Sequence, residues 1–254
     1  MVSSVAVAGA SGRLGSLVCE VVEAHPEFEL VARLTSQSAP DEGADADIVV
    51  DVTSLEASQV IVDRALRRGQ QVIIGTSGWS AERLASLEGL LESLPESGAI
   101  VVPNFSLGSV LGTVLAQVAA PYFTGIEVIE AHHPKKVDSP SGTAVRTAEL
   151  MAEARSAAKS EPLDAPFADQ RARGELVGGI PVHSLRLTGM VAKQEVRFGG
   201  PGEVLSIVHD THSNEAYVAG IRAALEAVRD ARGLTVGLDR ILGLGSILES
   251  GSDA

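Results

Sequence analysis

The sequence is poor in cysteine, and its basic residues are outnumbered by acidic ones. It contains one cysteine among 254 residues, Cys19, so no internal disulfide can form. A thiol in an apolar helical stretch is typical of a reducing compartment, and we expect a cytoplasmic protein. Lysine and arginine number 20 against 33 acidic residues, which gives a net charge of −13. Because nucleic-acid binding draws on clustered basic residues, this balance argues against a nucleic-acid partner.

Long apolar segments are also missing. Residues 1–4 lack the basic start and apolar core of a signal peptide. The uncharged stretch 97–126 is interrupted by prolines and polar residues, and its apolar part after Gly108 is too short for a hydrocarbon layer of ~30 Å. We therefore expect neither export nor a membrane partner.

The first part of the chain alternates short strands with helices. Residues 5–8 form an apolar run ahead of glycines, and helical spacing follows at 14–22. Further strands rich in valine and isoleucine are predicted at 28–34, 48–52, 71–74 and 100–102, with amphipathic helices at 55–68 and 81–94. This alternation predicts a parallel sheet covered on both faces.

The pattern changes after Asn104. Helices are predicted at 109–120 and 143–158, strands at 126–132, 183–188, 193–198 and 204–209, a long surface loop at 160–179 and a last helix at 216–229. Strands separated by Gly-containing turns favour an antiparallel or mixed sheet. The predicted fold is therefore α/β. Residues 1–106 and 216–254 form a Rossmann-type domain, and residues 107–215 form an α+β domain with a mixed sheet.

A glycine-rich turn lies where the first strand passes into the first helix. It consists of Gly9, Ala10, Ser11, Gly12, Arg13 and Leu14, followed by Gly15. Small residues let the backbone approach a pyrophosphate, and the helix start offers N–H groups and a positive dipole end. A plain tight turn is the alternative. The position after a first strand favours dinucleotide binding.

The second strand ends without a carboxylate, at Arg33-Leu34-Thr35. A carboxylate at this place accepts the ribose 2′-hydroxyl of NAD, whereas a basic group accepts a 2′-phosphate. Arg33 and Thr35 are therefore candidate contacts of a 2′-phosphate, which keeps NADPH open beside NADH. The alternative for Arg33 is a solvated surface side chain.

The densest basic patch of this acidic chain lies in residues 130–144. It combines His132, His133, Lys135 and Lys136 with a helix start at Ser141-Gly142-Thr143. Imidazole and ammonium groups can neutralise a carboxylate and deliver a proton, and a helix start suits a second carboxylate. A metal site is disfavoured, because adjacent residues on a strand point to opposite faces and no third ligand is near. A solvated loop is the alternative for the two lysines.

Two short loops follow later strands of the predicted parallel sheet. One holds Gly75, Thr76 and Ser77, and the other holds Val102, Pro103, Asn104 and Phe105. Open α/β sheets bind ligands at the carboxyl ends of their strands, so both loops are candidate contacts of the nicotinamide ribose and ring. Ordinary connecting turns are the alternative.

With these residues in hand, the chain closely resembles the dihydrodipicolinate reductases, also called 4-hydroxy-tetrahydrodipicolinate reductases. Residues 130–136 and Ser141-Gly142-Thr143-Ala144 are similar to that family's signature, and the likeness continues through the glycine turn, the two loops, 179–183 and 189–200. The resemblance implies a cofactor domain formed by both chain ends. It also implies a central substrate domain and a homotetramer assembled through the substrate-domain sheets.

The resemblance implies reduction of a small cyclic imine dicarboxylate on the route to diaminopimelate and lysine. Hydride passes from NADPH or NADH to C4 of the ring, the 4-hydroxyl leaves as water and a proton is added at C3. His132 and Lys136 match the family's catalytic residues. His133, Gly142 and Thr143 match its substrate-carboxylate contacts, and 9–14, 75–77 and 102–105 match its cofactor loops. Thr35 stands where the family commonly has an acidic residue, which leaves the cofactor preference open.

Two other functions remain alternatives. One is a different NAD(P)-dependent two-domain dehydrogenase. Its acylating aldehyde-dehydrogenase form needs a nucleophilic cysteine, and Cys19 lies in the wrong domain for that role. The other is a non-catalytic dinucleotide-sensing protein, in which we would expect His132 or Lys136 to be missing. Both residues are present.

Overall fold

The computed structural model describes residues 1–39, 41–245 and 247, and the chain divides into two compact units. The first comprises Met1–Leu107 and Tyr217–Leu242, and the second Gly108–Ala216 with the described residues from Gly243 on. Positions 40, 246 and 248–254 of the predicted Rossmann-type domain lie outside the described residues. A cofactor-binding role for 1–106 with 216–254, and a substrate-binding and tetramerisation role for 107–215, stay predictions.

The elements are numbered in chain order. The strands are β1 (Ser3–Ala8), β2 (Phe28–Leu34), β3 (Ile48–Asp51), β4 (Gln71–Ile74), β5 (Gly98–Val101), β6 (Gly125–His132), β7 (Glu175–Val177), β8 (Ile180–Arg186), β9 (Ala192–Gly200), β10 (Glu203–Thr211) and β11 (Gly233–Val236). The helices are α1 (Arg13–Glu23), α2 (Leu55–Arg67), α3 (Ala81–Glu92), α4 (Leu107–Ala119), α5 (Gly142–Ala157), α6 (Val218–Val228) and α7 (Leu238–Ile241). Among the described residues, none of the helices has the length and apolar character needed to cross a membrane.

The described part of the first unit forms a six-stranded parallel sheet in the order β11-β5-β4-β3-β1-β2. Every residue of β3 and β5 is buried, as expected when both faces of a sheet are covered. In the sheet, β1 lies between β2 and β3, so the direction in which successive strands are added reverses at β1. This reversal creates the crevice in which such sheets bind ligands, and it confirms the predicted Rossmann-type arrangement.

The described residues of the second unit form a five-stranded mixed sheet in the order β10-β9-β6-β8-β7. Strands β6 and β8 run parallel, and the other neighbouring pairs are antiparallel. Buried residues of α4 and α5 pack on one face, where Met151 joins Val128 and Phe198 in a core cluster. The predicted mixed sheet is confirmed.

Two local predictions were wrong, and one strand was missed. The predicted loop 160–179 contains β7, β8 begins at Ile180 rather than at 183, and β11 was not predicted at all. Strand β7 has three residues, too few for an alternating pattern, and Pro181 inside β8 lacks the N–H of an ordinary strand residue. These strands depend on pairing with distant neighbours, which local sequence patterns do not reveal.

The tight packing of α1 against the glycine turn gives a prediction about stability. A Cβ atom on Gly15 would lie 2.1 Å from the carbonyl oxygen of Gly9. We expect Gly15→Ala to lower the free energy of unfolding by about 1–3 kcal/mol, the usual cost of overpacking. Urea denaturation followed by circular dichroism measures the change.

Gly89 is the matched control, because it lies within α3 and a Cβ atom there would have no neighbour within 4 Å. Gly89→Ala should raise the free energy of unfolding by up to about 1 kcal/mol through the better helix propensity of alanine. If Gly15→Ala were equally stabilising, the close approach at Gly9 would not be what requires glycine.

Candidate active site

The glycine turn of the first unit presents an uncapped helix end. Gly9 has a φ of 85°, and a Cβ atom on it would lie 2.6 Å from the carbonyl oxygen of Val52. Gly12 precedes α1, and among the described residues no side chain caps this helix and no acidic residue lies in its first turn. Since the first turn of α1 contains no acidic residue that would compete for its positive end, the turn suits a phosphate. Ser11 and Arg13 are exposed beside it, Leu14 is half-buried and Ala10 is buried.

A network of hydroxyl groups joins the ends of β3 and β4. Thr76 donates from Oγ1 to Oδ2 of the buried Asp51 over 2.7 Å, and its Oγ1 accepts the backbone N–H of Thr53 over 2.9 Å. The side chain of Thr53 also approaches the Cβ position of Gly9. The structure therefore brings Thr76 next to the glycine turn, although no sequence motif linked them.

The loops after β4 and β5 also meet. A Cβ atom on Gly75 would lie 2.7 Å from the ring of Phe105. Val102 and Phe105 are buried, whereas Pro103 and Ser77 are exposed. Asn104 accepts the N–H of Ser106 at Oδ1 over 2.9 Å. Both predicted loops thus lie at the carboxyl edge of the parallel sheet.

Arg33 and Thr35 are exposed at the end of β2, but each already has a partner. Arg33 lies 2.6 Å from Oε1 of Glu23 through Nη2, and Thr35 accepts the N–H of Gln37 at Oγ1 over 3.2 Å. The Glu23 carboxylate raises the pKa of Arg33. A 2′-phosphate would have to replace this carboxylate, a competitor that sequence reasoning missed.

A polar cluster lies on the face of the second sheet that packs against α5. The parallel register pairs Glu130 with Ser184 and His132 with Arg186, so all four side chains share that face. Glu130 is completely buried, and its Oε2 lies 2.5 Å from Nδ1 of His132. Arg186 donates from Nη1 to both carboxylate oxygens over 2.9 and 3.0 Å, and the N–H of Ser141 donates to Oε1 over 3.3 Å.

The pKa values of Glu130 and His132 are both lowered, but for different reasons. Burial raises the pKa of Glu130, but hydrogen bonds from Ser184, His132 and Arg186 outweigh it and hold the pKa below its usual value. Burial lowers the pKa of His132. The Glu130 carboxylate opposes this effect, while Lys136 and Arg186 add to it. The isolated site therefore favours ionised Glu130 and neutral His132, and a bound dianion would shift His132 toward the imidazolium.

The loop between β6 and α5 contains its own carboxylate. Nζ of Lys136 lies 2.9 Å from Oδ1 of Asp138. Burial raises the pKa of Asp138, but the bond from Lys136 and the backbone N–H of Gly142 outweigh it and lower the pKa. The Gly142 amide that was predicted to hold a substrate carboxylate is thus engaged by Asp138. This contact shows that the helix start accepts a carboxylate, and a substrate would have to displace Asp138.

The other predicted members lie around the same loop. Ser141 caps α5 by accepting the N–H of Ala144 over 3.2 Å, and Thr143 lies half-buried in the first turn. His133 is half-buried and Lys135 is exposed. Within residues 1–39, 41–245 and 247, no group of three or more His, Cys, Asp or Glu side chains is arranged to hold a metal ion.

Comparison with known families decides between the alternatives. The family model described as dihydrodipicolinate reductase, N-terminus, matches residues 3–105, and its C-terminus counterpart matches residues 108–242. The chain belongs to the dihydrodipicolinate reductase family. The resemblance identified from residues 130–144 is confirmed, and the chain is an enzyme of a reductase family.

Individual relatives of the dihydrodipicolinate reductase family cover nearly the whole chain. A 4-hydroxy-tetrahydrodipicolinate reductase of Clavibacter michiganensis is 53% identical over 100% of this chain and 91% of its own length. The corresponding protein of Streptomyces avermitilis is 45% identical over 94% of this chain and 98% of its own. The dipicolinate-bound dihydrodipicolinate reductase from Paenisporosarcina superposes with a TM-score of 0.78, at 30% identity, over 95% of this chain and 100% of that one.

Family membership leaves the role of each site residue as a prediction. The structure adds Glu130, Ser184, Arg186 and Asp138 to the residues proposed from the sequence. Glu130 could have been found earlier, because residues two apart on a strand share a face and His132 was already a candidate. Arg186 and Ser184 could not, because their placement depends on the pairing of β6 with β8.

Proposed function

We propose that this chain reduces 4-hydroxy-tetrahydrodipicolinate, with loss of water, to tetrahydrodipicolinate. In this role His132 and Lys136 deliver the proton, and His133, Gly142 and Thr143 bind carboxylates. The observation that carries the proposal is the position of His132 at the end of β6, within electrostatic range of Lys136 and beside the start of α5, in a chain whose two halves both match this family.

The second unit has the chemistry that such a substrate needs. The helix start at Gly142 and Thr143 and the imidazole of His133 can hold the two ring carboxylates. Water is lost as the 4-hydroxyl together with a hydrogen from C3, which leaves a C3–C4 double bond conjugated with the imine. C4 then receives hydride and C3 receives a proton. His132 and Lys136 are the proton donors, and each regains its proton from solvent. The charge of the bound carboxylates favours the protonated form of His132.

The first unit fits a nicotinamide dinucleotide, which supplies hydride when bound. The positive φ of Gly9 and the uncapped start of α1 suit the pyrophosphate. We propose that residues 9–14 hold the phosphates, that 75–77 and 102–105 hold the nicotinamide end, and that Arg33 and Thr35 face the adenosine ribose.

Cofactor preference gives a second prediction. Because no carboxylate ends β2, we expect NADPH to be used at least as well as NADH. Thr35→Asp should shift the ratio of kcat/KM values toward NADH, since a carboxylate repels a 2′-phosphate and accepts a ribose hydroxyl. Steady-state kinetics with both cofactors measures this ratio.

Arg33→Ala is the companion variant, and it should reduce use of NADPH more than use of NADH. Glu23→Gln should do the reverse, because it releases Arg33 from its carboxylate partner. A clear NADH preference of the unmodified enzyme that Arg33→Ala leaves undiminished would show that this strand end has been misassigned.

A third prediction tests the substrate pocket. Pyridine-2,6-dicarboxylate presents two carboxylates on a planar ring without the reducible centre, so it should inhibit competitively with the imine substrate. Thr143→Val should raise both the inhibition constant of pyridine-2,6-dicarboxylate and the KM of the imine substrate. The increase should be roughly tenfold for each ~1.4 kcal/mol of carboxylate binding lost.

The exposed Thr124, which lies just before β6, supplies the control Thr124→Val, expected to leave both constants unchanged. Noncompetitive inhibition, or equal effects of the two valine variants, would count against the assigned pocket.

The proposed assembly is a homotetramer formed through the sheet of the second unit. The face of that sheet opposite α5 exposes the apolar side chains of Leu176, Leu185, Val204 and Val208. Burying such a patch between copies of the chain would stabilise association. Sedimentation velocity would measure the mass of the assembly.

We also propose a cytoplasmic location, since Cys19 is buried and free and burial raises the pKa of its thiol.

A further inference from the structure

We propose that Glu130 is a positioning residue for this reaction: it binds Nδ1 of His132 and leaves Nε2 as the nitrogen that faces the substrate. The inference rests on the proposed function, because it concerns how the proton donor is held. It goes beyond family membership, which assigns no task to this buried carboxylate.

The geometry fixes which ring nitrogen carries the contact. Glu130 and His132 occupy positions i and i+2 of β6, so both point toward α5. Oε2 of Glu130 lies 2.5 Å from Nδ1 of His132. An ionised carboxylate only accepts hydrogen bonds, so Nδ1 must carry a proton that it donates. Nε2 is then the nitrogen that exchanges a proton with a ligand.

Glu130 is surrounded by donors that keep it ionised. Arg186 reaches both oxygens, the hydroxyl of Ser184 bonds to the carboxylate, and the backbone N–H of Ser141 donates to Oε1. A completely buried carboxylate without such partners would take up a proton or destabilise the fold. The cluster therefore maintains a permanent acceptor for His132.

The same carboxylate ties the proton donor to the carboxylate-binding helix. Ser141 immediately precedes α5, and Arg186 also donates from Nη2 to the carbonyl oxygen of Asp138 over 2.6 Å. His132 and the start of α5 thus share one anchor. Holding a donor and a binding group in fixed relative positions lowers the entropic cost of reaching the reactive geometry.

The charges around His132 predict the direction of a pH effect. Glu130 on β6 is the anion, while Lys136 in the loop and Arg186 on β8 are cations. Asp138 faces Lys136, α5 contributes its N-terminal end and β9 places the uncharged Ala192 opposite His132. Removing the charge of Glu130 removes the group that raises the pKa of His132, so this pKa must fall further.

Glu130→Gln tests the role, because the amide keeps the shape but not both acceptors. The amide oxygen of the glutamine must still accept hydrogen bonds from Arg186 and Ser141, which leaves its NH₂ group facing His132. Nδ1 then becomes an acceptor, and the neutral ring moves its proton to Nε2. We expect kcat to fall about 10²-fold, in the range for a displaced proton donor, with KM within about threefold. The alkaline fall of kcat should move to lower pH.

Glu127→Gln is the matched control. Glu127 lies on the same strand and its Oε2 is 2.5 Å from Nε2 of His183, but it points to the other face of the sheet. This variant should keep kcat within about threefold and the pH profile unchanged. Glu130→Asp keeps the charge and should retain more of kcat than Glu130→Gln does. If Glu130→Gln fails to fold, the kcat and pH profile of Glu130→Asp still test the role of the carboxylate.

Long-range ¹H–¹⁵N spectra of histidine-labelled protein give a readout that does not depend on turnover. His132→Gln identifies the signals of His132 among those of the six histidines. The unmodified protein should show the Nδ1–H tautomer and Glu130→Gln the Nε2–H tautomer. A proton on Nε2 in the unmodified protein, or a glutamine variant with unchanged kcat and pH profile, would overturn the proposal. Absence of turnover in the unmodified enzyme would overturn the proposed function instead, while the spectra would still report on Glu130.

Discussion

Replacing His132 by Gln, or Lys136 by Ala, is expected to lower kcat by about 10²–10⁴-fold, the typical loss when a positioned proton donor is removed. The KM should change much less, because the predicted carboxylate contacts are His133, Gly142 and Thr143. Lys136 also keeps Asp138 paired, so Lys136→Ala should additionally change the loop between β6 and α5. Steady-state kinetics of each variant separates the effects on kcat and KM.

Lys135 is the internal control for these two variants. It neighbours Lys136 in the chain but is exposed and does not match the family's catalytic position. Lys135→Ala should keep kcat within about threefold, a change under ~1 kcal/mol. With a net charge of −13, long-range attraction of a dianion is unfavourable, and local contacts must supply the binding. If Lys135→Ala were as damaging as Lys136→Ala, the basic residues in 132–136 would act together as a diffuse positive field, and the individual roles assigned to them would be wrong.

Replacing Arg186 by Met is expected to destabilise the fold by about 3–5 kcal/mol, because it leaves the completely buried Glu130 without its cation. It also removes the bond to the Asp138 carbonyl oxygen. For a chain of this length the melting temperature should fall by about 10 °C. Differential scanning calorimetry measures the change. Arg67→Met is the control, because it breaks only the exposed pair with Asp63 on α2 and should leave the melting temperature unchanged.

The loss in Arg186→Met should depend on pH in a defined direction. The depressed pKa of Glu130 gives stability that is present above the ordinary pKa of a glutamate and is lost as pH falls through the lower folded value. Without Arg186 the pKa of Glu130 rises, so this acid-side loss disappears. The difference between the two proteins should therefore shrink as pH falls through the glutamate range. A difference that is constant across this range would mean that Glu130 does not depend on Arg186 for its charge.

The sequence predicted the parallel sheet well because its strands are continuous apolar runs. Strands such as β3 and β5 are buried on both faces, and amphipathic helices separate them. The mixed sheet was also predicted, but β7 and β11 were missed. Strand β7 has only three residues, β11 is only partly buried, and both form because a neighbouring strand supplies their hydrogen bonds.

The candidate site was predicted where its residues are close in sequence. His132, His133 and Lys136 precede the start of α5 by at most ten residues, so one motif contained them. The partners that set their chemistry are far apart in the chain. Arg186 reaches Glu130 across 56 positions, because β6 pairs with β8. Such contacts follow from strand register and helix packing, which the printed sequence does not specify.

Isotope transfer to the product tests most directly whether this chain reduces 4-hydroxy-tetrahydrodipicolinate. The enzyme would be given 4-hydroxy-tetrahydrodipicolinate, formed by condensing aspartate semialdehyde with pyruvate, and NADPH or NADH with both C4 hydrogens of the nicotinamide replaced by deuterium. We expect tetrahydrodipicolinate that carries one deuterium at C4 and a solvent-derived hydrogen at C3, seen by mass spectrometry and NMR. Failure of both cofactors to yield the product, or a product without deuterium at C4, would contradict it.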